Sequence, residues 1–151
     1  MMAISLHQPF ATLLLERMPN GERFKTHETR SRAAPQKAVG QRVLIHAART
    51  LEGTYDDGPD DDPCTFLCRR YFNNFDTLPR GCFVGTALLS SQFQMRGGAG
   101  RAVSLYDLVT GNWDFGRWAW RMDDPELFPQ PIWARGRQGW WNVEWPPETA
   151  T

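Results

Sequence analysis

The stretch GCFVGTALLSSQF, residues 81–93, constrains the fold most. Its apolar and β-branched content reads as a strong strand. Glycines at 81 and 85 suggest a bend or bulge, the device by which a strand curls in a small barrel. QRVLIHAA (41–48) is the clearest further strand, entered from Val39 and Gly40. AISL (3–6) is a short one, and GWWNVEW (139–145) gives a last. From Phe115 to Met122 arginine and alanine alternate with tryptophan, a period-two pattern. Prolines 125, 129 and 131 are expected to break up regular structure after it.

Helical signals are few. In HQPFATLLLERMPNGE (7–22), Phe10, Leu13 and Leu14 fall at i, i+3 and i+4. Pro9 suits the first turn, and Pro19-Asn20-Gly21 is a stop signal. A second helix is expected in CTFLCRRYFNNF (64–75), within an irregular insertion over 49–80. Many short strands with one or two helices predict a mainly β fold with flanking helices, a small barrel. The 151 residues fit one domain, 1–147, with a tail at 148–151.

Charge is zero in sum but uneven. Residues 1–50 carry eight basic and three acidic groups, and 51–81 carry three and seven. The acidic excess is mainly DDGPDDD (56–62), most simply a solvated loop without the EF-hand pattern. MRGGAGR (95–101) is a basic, glycine-rich loop that lacks the G-K-[ST] ending of a P-loop. Cys64, Cys68 and Cys82 are too few for a disulfide framework. Cys64 and Cys68 could form half a zinc site, but no second half follows, so neither metal nor cofactor is expected. No apolar run approaches the roughly 20 residues of a membrane span. The first ten residues lack a basic n-region and a long h-region, so the cytoplasm is the default location. Oligomeric state is not encoded in any recognisable pattern.

FKTHETRS (24–31) raises the functional question. Only two lysines, Lys25 and Lys37, stand against fifteen arginines. In an ideal strand Phe24, Thr26, Glu28 and Arg30 share one face and Lys25, His27 and Thr29 the other. Lys25 and Arg30 can then meet in one site only if the segment twists or bulges. Read by itself, the segment is either a solvated charge run or the lining of a cleft.

Four blocks in order resemble the ASCH domain family of the PUA-like superfamily. ISLHQPFATLLL (4–15) is similar to the family's S-x-x-Q-P-[WF]-A-x-L-[IL] opening. GERFKTHETRS (21–31) resembles its G-x-K-x-x-E-x-R signature, with two extra residues before Lys25. GQRVLIHAAR (40–49) is like the strand ending in [IV]-H-A, and PIWARGRQGWWNVE (131–144) is like the closing block. His7 stands where relatives often have arginine, and the acidic insertion is a second departure.

The resemblance implies a PUA-like barrel of five or six strands that binds RNA, another single-stranded nucleic acid or a modified nucleoside. The implied cleft lies between the first helix and the barrel. His7, Gln8, Lys25, Glu28, Arg30, His46, Arg49, Trp118, Arg135 and Arg137 are its candidate lining. Some relatives hydrolyse N4-acetylcytidine with a Lys-x-x-Thr pair, and a nuclease activity has been attributed to the family. Here Glu28 occupies the threonine position. Lys25 and Glu28 could still divide base and acid roles, the catalytic alternative, acting on RNA or N4-acylated cytidine. A second alternative is a protein-interaction module in transcription or translation control. His46 also reads as a core-edge histidine bonded to backbone. The seven tryptophans cluster in the last third, interleaved with Arg117, Arg121, Arg135 and Arg137. Adjacent strand residues face opposite ways, so Trp118, Trp120, Trp140 and Trp141 cannot all be buried alike. They form a core rimmed by arginine, or include a ring that stacks on a base.

Overall fold

The structure, a computed structural model, describes residues 1–50, 63–72, 77–96 and 103–146. The acidic stretch 56–62, most of the glycine-rich loop and the tail at 148–151 lie outside these. Six strands form one sheet: β1 (Met2–Leu6), β2 (His27–Arg30), β3 (Gln41–Ala47), β4 (Cys82–Gln94), β5 (Trp118–Trp133) and β6 (Trp140–Asn142). Their spatial order is β2-β5-β4-β3-β1-β6, and the sheet curls into a half-barrel. All pairs are antiparallel except β1 with β3. The mainly β class therefore stands, with α1 (Phe10–Leu15), α2 (Pro63–Tyr71) and α3 (Leu105–Val109) flanking the sheet.

Curling is set by β4. Its register shifts against β5 between Phe83 and Gly85, between Thr86 and Leu88 and between Leu89 and Ser91. Each shift adds local twist. A Cβ at Gly85 would lie 2.2 Å from the Glu126 carbonyl oxygen, so only glycine admits this approach. The enclosed core includes Ile4, Leu14, Val43, Ile45, Val84, Leu89, Trp120 and Met122.

Two expectations about elements are corrected. Prolines 125, 129 and 131 do not interrupt structure: β5 runs unbroken from Trp118 to Trp133. None of the three is a register partner of β4, and β2 covers β5 only from Trp118 to Arg121. The rest of β5 is an edge, where a missing N–H leaves no ladder bond unmade. The first helix is also shorter than the stretch 7–22 expected to be helical, covering the apolar residues and ending at Leu15. Ala11 to Leu15 are all buried, so no solvent face remains to extend. Glu16 is extended, Arg17 bridges to Arg23, and Pro19-Asn20-Gly21 turns that bridge rather than the helix. Arg23 Nη2 donates to the Leu14 carbonyl at 2.9 Å, satisfying an orphan acceptor at the helix end.

Candidate functional site

The strand β2 begins at His27, so Lys25 precedes it and escapes its alternation. That break removes the geometric conflict with Arg30. Lys25, Glu28 and Arg30 all line one cavity of about 440 Å³. It lies between His7 and Phe10, β2, Cys64 of α2 and the turn Thr110–Asn112.

Lys25 is 1% exposed, and its Nζ donates to the Thr110 carbonyl at 2.7 Å. Glu28 Oε2 is 3.7 Å away and the Phe10 ring centroid 5.4 Å. Burial pushes the Lys25 ammonium below its ordinary value, opposed by the charges of Glu28 and Asp107. Arg30 Nε donates to Glu28 Oε1 at 2.9 Å and Nη2 to the Ser5 carbonyl at 3.2 Å. Its guanidinium lies over the Trp120 ring, 6.0 Å from the centroid. The Glu28 carboxylate is thus held between a guanidinium and an ammonium, with both oxygens oriented.

Thr26 and His27, between Lys25 and Glu28, are fixed by a residue that the sequence reading missed. Asp107 is 1% exposed. It accepts from Thr26 N at 2.8 Å, Thr26 Oγ1 at 2.5 Å, His27 N at 3.1 Å and Ser104 Oγ at 3.2 Å. Burial alone would raise the carboxyl, but these bonds and His27 outweigh it and hold it far below the usual carboxylate range. Arg117 Nη2 donates to Thr29 O at 3.2 Å, and Asn112 N to Thr29 Oγ1 at 3.0 Å, folding the post-α3 turn over β2.

A second cavity of about 1180 Å³ also has His7 and Arg30 in its wall, so the two adjoin. Arg49, Arg80, Arg135, Arg137 and Trp133 line it. His46 borders it with both ring nitrogens engaged: Nε2 donates to the Ala134 carbonyl at 2.9 Å, and Nδ1 accepts from Ser5 Oγ at 3.1 Å. Burial lowers its pKa, so the neutral ring is favoured.

His7, Lys25, Glu28, Arg30, His46, Arg49, Arg135 and Arg137 therefore gather around the two cavities. Two expected residues do not. Gln8 is fully buried, donating to the Pro79 carbonyl at 2.8 Å and accepting from Thr12 N at 3.1 Å, which makes it a brace for α1. Trp118 is partly buried against the main core and lines neither cavity. Beyond Asp107, the sequence reading also missed Thr110, Arg80 and Trp133. Asp107 and Thr110 carry no motif; Arg80 flanks the glycine bend at 81 and Trp133 falls in the closing block, positional signals that were there to read.

No family model and no curated protein matches the sequence. Solved structures of similar fold do exist. The crystal structure of ASCH from Zymomonas mobilis is 18% identical, covers 95% of this chain and 87% of that one, and superposes with a TM-score of 0.51. A tyrosine-to-phenylalanine mutant of the same protein is 19% identical, with 95% and 90% coverage and a TM-score of 0.50. A serine-to-alanine mutant is 18% identical, with 95% and 88% coverage and a TM-score of 0.50.

Proposed function

We propose that this chain, which has an ASCH-type fold, binds RNA or a modified nucleoside with the base in the smaller cavity. The convergence of Lys25, Glu28 and Arg30 on that cavity carries the reading. A buried ammonium beside a fixed carboxylate presents a donor next to an acceptor. That pair complements a base edge: a carbonyl or ring nitrogen accepts from Lys25, and an exocyclic amine donates to Glu28. A volume of about 440 Å³ lies within the range of small-molecule sites. Bases splayed from a single strand, or a free nucleoside, can enter such a pocket, whereas a stacked duplex cannot.

One observation favours a second, catalytic reading. Burial lowers the Lys25 pKa, which increases the fraction of neutral amine available as a base or nucleophile. Glu28 would then shuttle the proton in hydrolysis of an N4-acylated cytidine or of RNA.

The test is fluorescence anisotropy with single-stranded RNA, beside a hydrolysis assay on N4-acylated cytidine, for wild type and Lys25→Ala. Binding lost in the variant, with no wild-type turnover, supports the binder. Wild-type turnover abolished by the substitution supports the enzyme. Unchanged behaviour in both assays refutes the cavity as the site.

A further inference from the structure

We infer that the larger cavity is a phosphate subsite, so that the ligand is a nucleotide or phosphate-bearing strand rather than a free nucleoside. This rests on the reading of the smaller cavity as the base pocket, and extends it to the ligand class.

The chain has 17 basic and 17 acidic residues, yet five arginines and no described carboxylate line this cavity. Arg30 is committed to Glu28 and to the Ser5 carbonyl. Arg49, Arg80, Arg135 and Arg137 make no hydrogen bond or ion pair among the described residues. Among the described residues these like charges share one concave wall with no carboxylate in it, an arrangement that favours an incoming anion. Exposed arginines scattered over a surface would need no such account. These four are not scattered.

The backbone that carries them is built. Gly81 N donates to Ala47 O at 2.8 Å, and Ala134 N donates to Gly81 O at 3.2 Å. These bonds tie together the three segments that bear Arg49, Arg80 and the pair Arg135 and Arg137. Between that pair, Gly136 packs on the His46 ring so closely that a Cβ would lie 2.3 Å from Cε1. His46 in turn holds the Ala134 carbonyl. The arm is pinned on both sides, and its two arginines start from fixed points. Guanidinium groups match phosphate oxygens with paired, charge-assisted hydrogen bonds. Trp133, 72% exposed on the same wall, offers a face for a neighbouring base. Because His7 and Arg30 line both cavities, the phosphate lies next to the bound base along the chain.

The experiment is calorimetric titration of the full chain with cytidine, its 3′- and 5′-monophosphates, a short oligocytidylate and inorganic phosphate. Wild type is compared with Arg135→Ala/Arg137→Ala, and with Lys37→Ala as a charge control outside the cavities. A monophosphate or the oligonucleotide is expected to bind at least about tenfold tighter than cytidine, the scale of one charged hydrogen bond. The double substitution is expected to bring that preference close to one, and Lys37→Ala to preserve it. Cytidine binding as tightly as both phosphorylated forms overturns the phosphate subsite but leaves the base pocket. Inorganic phosphate binding as tightly as the monophosphates overturns the link between subsite and nucleoside. Absence of binding by every ligand overturns the base-pocket reading as well.

Discussion

The Lys25 ammonium donates to the Thr110 carbonyl at 2.7 Å, joining the lead-in to β2 to the end of α3 across 85 residues of sequence. Among the described residues the next charged partner, Glu28 Oε2, stands at 3.7 Å. A buried ammonium should make the stability of the fold depend on pH on the alkaline side. Its pKa is lowered from 10.5, chiefly by burial. Between the folded value and 10.5 the unfolded chain therefore binds more protons, and this group's contribution to stability rises with pH. Urea denaturation at stepped pH should show wild type gaining on Lys25→Met as pH approaches 10.5. A pH-independent difference between the two proteins would contradict the assignment.

Asp107 should dominate the acid side. Its carboxylate closes the segment between Lys25 and Glu28, and its pKa is depressed below 3.8. The stability it contributes is present above 3.8 and is lost as pH falls from there through the folded value. Asp107→Ala leaves the buried donors of Thr26 and His27 unpaired, at a cost of about 3 kcal/mol near neutral pH. In a chain of this length that lowers Tm by roughly 6–12 °C. Calorimetry should record the loss at pH 7 and a shrinking gap below pH 4.

How much of this was legible follows from where each signal lies. Strand β3 from Val43 and the first half of β4 announce themselves because both faces are buried there, so those stretches are rich in apolar residues. The bulge at Gly85 was readable because glycine is the only residue that tolerates the approach of Glu126. Lys25, Glu28 and Arg30 stood out as a motif, but their convergence depends on β2 starting two residues after Lys25, and strand boundaries leave little trace in composition. Asp107 and Thr110 were illegible for a different reason. They meet β2 through tertiary packing, and a single aspartate at a helix start looks the same whether it caps solvent or clamps a site. The prolines misled because their cost depends on whether a neighbouring strand needs the missing N–H, which only topology decides.

Gly136→Ala tests the pinned arm. The added methyl would sit 2.3 Å from His46 Cε1 and 2.6 Å from Nδ1. The ring cannot retreat without breaking its bonds to Ser5 and Ala134. Overpacking of this kind costs about 1–3 kcal/mol. We expect a lower urea midpoint and weaker binding of single-stranded RNA, although the substitution removes no charge. An RNA affinity equal to wild type would show that the placement of Arg135 and Arg137 does not matter.

Arg30 and Glu28 should behave as one unit. Arg30 Nε orients Glu28 Oε1 while Nη2 holds the Ser5 carbonyl, and the guanidinium covers Trp120. A lysine at this position has no fork with which to make both bonds. Arg30→Lys and Glu28→Gln should each weaken ligand binding by about tenfold, since each loosens the same carboxylate and a charged hydrogen bond is worth about 1.5–3 kcal/mol. Together they should weaken it by much less than about a hundredfold, with a coupling energy of about 1 kcal/mol in a double-mutant cycle. Additive losses would mean that Arg30 meets the ligand independently of Glu28, and that the carboxylate is oriented by Lys25 instead.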